Sequence, residues 1–328
     1  MSEAFLHRPV MVDEIVDIMR AVPPGVVVDA TLGAGGHARA LLEARSDLRL
    51  VGLDRDGDAV DAATGALADF AGRVVLRRAR FDEITTTLQE LGHETGTRGD
   101  ISGALFDLGV SSPQLDRPER GFSYRADGPL DMRMDPREPL TAADVVNGYD
   151  EAELSRVLYE HGGERFARRL ARAIVAARPV ATTGELVELI RATIPAPARR
   201  RGGHPAKRTF QAIRIEVNGE LQLLPGALDQ AIDVLVPGGR CAVLAYHSGE
   251  DRIVKQRFTR AATGGCTCPP ALPCVCGAQA TVHLLGRRGR RPSAAEVAAN
   301  PRSESARLRA CEKLPVAQAE PGPDGDAA

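Results

Sequence analysis

Acidic and glycine residues at the ends of two predicted strands form the part of the sequence best suited to chemistry. Asp29 ends an apolar run at residues 26–28, and the sequence Gly-Ala-Gly-Gly follows at residues 33–36. Glycines at such a bend let the backbone turn sharply and approach a ligand where a Cβ atom would clash. Asp54 ends the next apolar run, roughly 20 residues after the glycines, where an acid commonly binds a ribose diol. The pattern predicts a site for a nucleoside-containing cofactor.

The identity of that cofactor depends on Asp29. Gly33, Gly35 and Ala38 satisfy the loose dinucleotide pattern, so a nicotinamide-dependent oxidoreductase is one alternative and a tight turn without a ligand is another. Asp29 stands four residues before Gly33, and the resulting Asp-x-x-x-Gly-x-Gly resembles the first motif of Rossmann-like S-adenosylmethionine methyltransferases. A carboxylate suits a cofactor that carries an ammonium and a sulfonium, and it is unfavourable beside a pyrophosphate. We therefore predict S-adenosyl-L-methionine.

A second group of polar residues follows the fourth predicted strand and could hold the methyl acceptor. Asp107 ends this strand, and Ser-Ser-Pro follows at residues 111–113. Methyltransferases that act on base amines place an acid or amide here, followed by prolines and an aromatic residue. The oxygens accept hydrogen bonds from the exocyclic amine, and the aromatic ring stacks on a flipped base. The sequence has no aromatic between Asp107 and residue 113, so Phe122 or Tyr124 would have to supply the ring.

The composition limits the class of protein. The chain has 328 residues, is 43% hydrophobic and carries a formal net charge of −2, values typical of a globular protein with room for about two structural units. No apolar run approaches the roughly 20 residues of a membrane helix, and we expect neither a secretory leader nor membrane association.

Basic residues cluster at 199–201, 207–208 and 287–291. Solvated surface is the alternative, but three clusters favour a polyanionic partner in the cytoplasm.

Four of the six cysteines lie close together in the sequence, at Cys266, Cys268, Cys274 and Cys276. In a cytoplasmic chain such a cluster indicates a metal site before a disulfide framework. Four thiolates could bind zinc tetrahedrally, although Cys-x-Cys spacing is less usual than Cys-x-x-Cys. The alternative is a set of reduced cysteines in a proline-rich loop. Because methyl transfer needs no metal, we assign no residue as a metal ligand.

Hydrophobic patterning places these groups on an α/β fold. Apolar runs predict strands at residues 26–28, 50–53, 73–77, 101–109 and 240–246. Helical patterns alternate with the strands, which predicts a Rossmann-like, mostly parallel sheet covered by helices on both faces. Only helical patterns occur between residues 113 and 212, so we predict a small helical domain inserted at the C-terminal edge of the sheet, where ligands bind in open α/β folds.

Three segments follow from this organisation. We predict a Rossmann-like methyltransferase domain formed by residues 1–112 and 213–292, and an inserted helical domain for substrate recognition at residues 113–212. Residues 293–328 lose apolar periodicity. They are predicted to form a C-terminal segment that ends in a disordered tail from Pro315 onward.

Taken together, the motifs resemble one family, the bacterial 16S ribosomal RNA cytosine-N4 methyltransferases of the MraW/RsmH type. The matching blocks are residues 7–11, 33–37, 53–56, 107–116, 128–135, 204–218, 246–255 and 300–306. They occur in order and extend over about residues 5–313. Several blocks are too long to arise by chance.

The resemblance implies methyl transfer from S-adenosyl-L-methionine to the N4 amine of a cytidine, position 1402 in conventional numbering, in the decoding region of 16S rRNA. The cofactor-binding residues that it implies are Gly33, Gly35, Gly36, His37, Asp54, Phe81, Asp107 and Gln114. The residues expected to contact the reacting amine are Asp107, Ser111, Ser112, Pro113 and His247.

The expected chemistry is positioning, because the lone pair of a cytosine amine is delocalised into the ring and no strong general base is required. His247 is expected to receive the proton after transfer; its alternative role is a structural hydrogen bond at a strand end. The substrate is expected to be 16S rRNA within the small ribosomal subunit, and a homodimer is compatible with the sequence. A non-catalytic RNA-binding protein is the remaining alternative, since it would keep the basic clusters without needing Asp54 or Asp107.

Overall fold

The computed structural model describes residues 9–199, 203–269 and 275–315. Several features singled out in the sequence lie outside these residues: part of the first matching block, Arg200 and Arg201, Cys274, and the tail from residue 316 onward. The chain divides into two compact units. The first comprises Met1–Asp54, Ala62–Asp107 and Pro225–Ala328, and the second comprises Arg55–Asp61 and Leu108–Leu224.

The first unit is built on a seven-stranded sheet. Its strands are β1 Gly25–Asp29, β2 Leu48–Asp54, β3 Val74–Arg78, β4 Ile101–Asp107, β5 Arg240–Ala245, β6 Val282–Leu284 and β7 Arg307–Lys313. The spatial order is β3-β2-β1-β4-β5-β7-β6. The first five strands pair in parallel, and β7 and β6 are antiparallel. The predicted Rossmann-like, mostly parallel α/β fold is therefore confirmed.

The central strands form because their apolar runs are buried on both faces, as a parallel sheet requires. Val26, Val27 and Val28 are each at most 1% exposed, and the side chains of β4 from Ile101 to Phe106 are buried. Parallel strands place their carboxyl ends at one edge of the sheet. Asp29, Asp54 and Asp107 are the last residues of β1, β2 and β4, so the topology positions three carboxyl groups at that edge.

Two antiparallel strands at one side of the sheet were not predicted. β7 carries charged residues among small apolar ones, with Arg307 and Arg309 partly exposed and Leu308 and Ala310 buried. This period of two is the signature of a strand near a sheet edge, but long arginine side chains weaken its hydrophobic contrast. β6 has three residues, too few for a periodic signal.

The α-helices follow the predicted alternation along the chain. In order they are α1 Val12–Met19, α2 Gly36–Ala44, α3 Gly57–Ala66, α4 Ile84–Glu90, α5 Ser112–Asp116, α6 Ala142–Gly148, α7 Glu151–Glu160, α8 Ala167–Ala176, α9 Thr183–Thr193, α10 Ala196–Arg199, α11 Lys207–Asn218, α12 Glu220–Val234, α13 Ser248–Thr263 and α14 Ala294–Ala299. In the described part of the chain, none of them is long and apolar enough to cross a bilayer.

The second unit is helical and has its own core. Side chains of α6 to α9 and α11 meet there, among them Leu158, Leu170, Ile190 and Ile213, all fully buried. Three of its helices, α6, α7 and α9, begin at side-chain caps. Asp150 caps α7 by accepting a hydrogen bond from the Glu153 backbone N–H at 2.8 Å, with Glu153 completing a capping box. Such caps satisfy the free N–H groups of the first turn and fix where each helix starts.

Candidate functional site

The glycine-rich turn between β1 and α2 takes a backbone conformation that favours glycine. Gly33 has φ +53° and Gly35 has φ +81°, both in the left-handed region, and Gly35 caps α2. A Cβ atom on Gly33 would meet no atom within 4 Å. The turn therefore borders open space at the sheet edge. The Gly33 backbone N–H donates to Asp54 Oδ2 at 2.8 Å, which fixes this carboxylate beside the turn.

Asp29 lies beneath this turn and is only 1% exposed. Its Oδ1 accepts a hydrogen bond from the Thr31 backbone N–H at 3.2 Å, whereas Oδ2 has no hydrogen-bond partner among the described residues. Burial raises the pKa of Asp29 from 3.8 to about 7. The Thr31 bond opposes this rise, and the nearby charges of Asp107 and Asp54 add to it. The pKa of Asp29 therefore depends on the charges of Asp54 and Asp107 at the sheet edge, although the Asp29 side chain is buried.

Three carboxyl groups at one sheet edge determine which cofactor fits. The charges of Asp54 and Asp107 both raise the pKa of Asp29, and this local negative charge makes the edge unfavourable for a pyrophosphate. A cofactor with a positive charge is attracted to such an edge. The open space above Gly33, the fixed carboxylate of Asp54 and the local negative charge fit S-adenosylmethionine, which carries both a ribose and a sulfonium.

His37 and Asp107 lie side by side at this edge. His37 is 6% exposed, and its Nε2 lies 3.0 Å from the Val10 carbonyl oxygen, so Nε2 must carry the proton and donate. His37 Nδ1 lies 3.5 Å from Asp107 Oδ2, a pair that becomes ionic when the ring holds both protons. The Asp107 backbone N–H also donates to Thr31 Oγ1. These contacts join the ends of β1 and β4 around one partly exposed carboxylate.

Tyr246 is a member of this site that the sequence did not single out. It follows β5, and its hydroxyl donates to Asp107 Oδ1 at 2.7 Å. Burial, followed by the charge and hydrogen bond of Asp107, raises the pKa of Tyr246 well above its ordinary value, which keeps the phenol protonated as a donor. β5 pairs in parallel with β4, with Leu244 opposite Asp107. A tyrosine just past the end of the neighbouring strand was the available signal.

Phe81 and His247 also belong to the first unit. Phe81 follows β3 and packs edge-on against Phe106, with ring centroids 6.3 Å apart. His247 is the N-cap of α13, where its Nδ1 accepts from the Glu250 backbone N–H at 3.4 Å. His247 Nε2 lies 3.2 Å from Glu250 Oε1 but without hydrogen-bond geometry. The side chain of His247 therefore has a structural task at the start of the helix.

Three of the residues predicted to contact the base amine, Ser111, Ser112 and Pro113, belong to the second unit. Ser111 caps α5, Ser112 and Pro113 form its first turn, and Ser112 is partly exposed while Pro113 is exposed. Gln114 is 6% exposed; its Oε1 accepts from the Ser111 backbone N–H at 3.0 Å and its Nε2 donates to Asp56 Oδ2 at 2.9 Å. The amide of Gln114 is thus held at both ends within this unit.

The two aromatic candidates for base stacking differ in burial. Phe122 is 5% exposed and packs in the helical core. The Tyr124 ring is partly exposed and stacks on His204 with centroids 4.5 Å apart and 16° between the planes. Burial lowers the pKa of His204, and Arg191 and Arg125 lower it further. A neutral imidazole therefore covers one face of the Tyr124 ring. Tyr124 is nevertheless the more exposed of the two rings.

Two of the basic clusters have described, exposed side chains. Lys207 and Arg208 are exposed in the first turn of α11, in the second unit. The other cluster lies in the first unit between β6 and α14, where four arginines are exposed: Arg287, Arg288, Arg290 and Arg291. Exposed cations in these numbers can bind phosphate groups.

Comparison with known proteins gives consistent matches over nearly the whole chain. The profile of the MraW methylase family matches residues 4–314. The chain is 53% identical over 316 residues to the ribosomal RNA small subunit methyltransferase H of Symbiobacterium thermophilum, covering 95% of this chain and 98% of that protein. It is 49% identical over 315 residues to the protein of the same name from Heliobacterium mobile, covering 94% and 99%. A crystal structure of an rRNA methylase from Streptococcus thermophilus aligns with a TM-score of 0.41 and 13% identity, over 95% of this chain and 100% of that one.

Proposed function

Because the chain belongs to the MraW methylase family, we propose that it methylates the N4 amine of one cytidine, position 1402 in conventional numbering, in the decoding region of 16S rRNA. It is an S-adenosylmethionine-dependent methyltransferase of small-subunit ribosomal RNA. The choice of nucleotide and of acceptor atom is the part that we propose. The proposed substrate is 16S rRNA within the small ribosomal subunit. Because bacterial ribosomal subunits are cytoplasmic, we also propose the cytoplasm as the compartment of this protein.

S-adenosylmethionine supplies an electrophilic methyl group on a sulfonium when it is bound. Each group of proposed contact residues is assigned to one part of the cofactor. Asp54 binds the ribose hydroxyls and Phe81 lies near the adenine. The residues proposed to line the remainder are Gly33, Gly35, Gly36, His37, Asp107 and Gln114. The fixed carboxylate of Asp54 supports the ribose assignment, since it is held beside the glycine turn before any ligand binds.

The environment of Asp107 is the observation that supports an amine as the methyl acceptor. Its side chain is 28% exposed, lies at the carboxyl end of β4 and accepts a hydrogen bond from Tyr246. A carboxylate in this position can accept a hydrogen bond from an exocyclic N–H and turn the nitrogen toward the methyl group. Positioning of this kind can supply several kcal/mol of the barrier reduction, about 7 to 11 kcal/mol in well-oriented systems.

The remaining assignments stay predictions. Ser111, Ser112 and Pro113 are proposed to form the wall that faces the base. His247 is predicted to receive the proton after transfer, with a structural role as its alternative. Its Nδ1 accepts the capping bond of α13 from the Glu250 backbone N–H at 3.4 Å. The geometry therefore favours the structural alternative for His247, with the proton passing to solvent.

A transfer assay tests this function. The protein is mixed with tritiated S-adenosylmethionine and small ribosomal subunits that lack the modification, and label in the RNA is counted. Failure to label the RNA would refute the enzymatic function, whereas normal labelling by Asp107→Ala would refute only the site assignment. A thermal shift with S-adenosylhomocysteine but not with NADH is expected, because a ligand that binds the native state stabilises it.

A further inference from the structure

Three cysteine thiols converge in the segment between α13 and β6. The Sγ atoms of Cys266, Cys268 and Cys276 all lie within 4.8 Å of one another, each offering one ligand atom. The Sγ atoms of Cys266 and Cys276 are 3.6 Å apart, although ten residues separate them in the chain. Cys274, the fourth cysteine of the sequence cluster, lies outside the described residues, so the candidate site consists of the three described thiols.

The spacing of these sulfur atoms fits a metal centre better than a disulfide. Two bonded sulfurs lie about 2.05 Å apart, so 3.6 Å excludes a bond between Cys266 and Cys276. Thiolates on a tetrahedral zinc ion, each about 2.3 Å from the metal, are about 3.8 Å from one another. The 3.6 Å between Cys266 and Cys276 is close to this value, and Cys268 lies within 4.8 Å of both. Zinc is also the metal most often held by tetrahedral sulfur ligands in proteins.

The described residues of the surrounding segment form no hydrophobic core. Its ends are tied to the last turns of α13: the Cys266 backbone N–H donates to the Thr263 carbonyl at 3.1 Å, and the Thr281 backbone N–H donates to the Ala261 carbonyl at 2.9 Å. Between these ties, none of the described residues is buried, and Val275 is 88% exposed. Short segments without a hydrophobic core generally need a disulfide or a metal to hold one conformation.

We propose that Cys266, Cys268 and Cys276 bind a structural zinc ion that closes the segment between α13 and β6. Binding replaces the thiol protons, which pass to solvent, and no electron transfer is involved. The zinc links the end of α13 to the edge strand of the sheet. It takes no part in methyl transfer, so the proposal is independent of the function proposed above.

Metal analysis of the full-length protein tests the proposal. The protein is purified without chelators, and zinc is measured by mass spectrometry against protein concentration. We expect about one zinc per chain, falling below a tenth of an equivalent in Cys266→Ser, Cys268→Ser and Cys276→Ser. Cys241→Ala is the matched control, because Cys241 is a buried thiol of β5 opposite Cys311 and should leave the zinc content unchanged.

A second measurement does not depend on how much zinc the protein took up before purification. Zinc removal should expose residues 264–281 to limited proteolysis, with cleavage at least tenfold faster, and zinc addition should reverse this. Three results would overturn the proposal. They are less than a tenth of an equivalent of zinc in the wild-type protein after incubation with zinc, undiminished zinc in all three serine variants, or a disulfide among these cysteines in non-reducing peptide mapping.

Discussion

The hydroxyl of Tyr246 donates a 2.7 Å hydrogen bond to Oδ1 of Asp107. This bond joins the ends of two neighbouring parallel strands, β5 and β4, and fixes the orientation of a carboxylate that is proposed to face both the cofactor and the amine. Because burial keeps the Tyr246 phenol protonated, it remains a donor throughout the neutral pH range. Asp107 is therefore positioned before the substrates bind.

Removing this donor should slow methyl transfer without unfolding the protein. A hydrogen bond to a charged group contributes about 1.5 to 3 kcal/mol, so Tyr246→Phe should lower kcat/KM for rRNA methylation by about tenfold or more. Tyr159→Phe is the matched control, since Tyr159 is 67% exposed on α7. Kinetics at saturating S-adenosylmethionine provide the measurement. A Tyr246→Phe enzyme within twofold of the wild type would show that the bond does not position Asp107.

The buried carboxyl group of Asp29 should make stability depend on pH. Its native pKa is raised from 3.8 to about 7, so the native state binds a proton that the unfolded state loses. Stability from this group is complete below pH 3.8 and is lost as the pH rises through about 7. Between pH 5 and pH 8 the loss should be about 3 kcal/mol.

Asp29→Asn isolates that contribution, because an amide of similar shape does not titrate. Urea unfolding of both proteins at pH 5, 6, 7 and 8 gives the free energies of unfolding. We expect the wild type to lose about 3 kcal/mol relative to Asp29→Asn over this range, with most of the loss complete by pH 7. Parallel pH profiles for the two proteins would mean that Asp29 is ionised in the native state at pH 5.

His247→Asn separates the capping role of His247 from a role as proton acceptor. Asparagine is a good N-cap and keeps the acceptor for the α13 helix start, but it cannot take up a proton at neutral pH. If the side chain only caps the helix, kcat should change by less than about threefold and the thermal midpoint should be almost unchanged. Removal of a general base typically costs 10²-fold to 10⁴-fold in rate. A decrease of that size, measured in single-turnover transfer, would restore His247 as the proton acceptor.

The exposed basic clusters should contribute to RNA binding by neutralising phosphates. We expect Lys207→Glu/Arg208→Glu and, separately, Arg290→Glu/Arg291→Glu to weaken binding to small-subunit RNA. Each should also reduce the slope of log K against log salt by about 0.7 to 0.9 for every phosphate that the variant no longer neutralises. Arg20→Glu/Arg98→Glu reverses the same number of exposed charges elsewhere and is the control. An unchanged slope in both cluster variants would assign RNA binding to other surfaces.

The parallel strands at the centre of the sheet could be predicted from local sequence patterns. Strands that depend on pairing with distant parts of the chain could not. A parallel sheet buries both faces of its central strands, so β1 and β4 are apolar runs. These two strands could therefore be identified from their own residues. β7 depends on pairing with β5 more than 60 residues earlier, and its alternation is masked by arginines. The same limit applies to the site. Asp54 sits at a recurrent spacing from the glycines, whereas the role of Tyr246 depends on which strand β5 pairs with.

The most direct measurement of the central claim is the identity of the methylated nucleoside. Small subunits lacking the modification are incubated with the protein and isotopically labelled S-adenosylmethionine, and the RNA is digested and analysed by mass spectrometry. We predict one new product, N4-methylcytidine, in the fragment that contains position 1402, and its absence with Asp107→Ala. Label on another atom or another nucleotide, or no label at all, would contradict the proposed reaction.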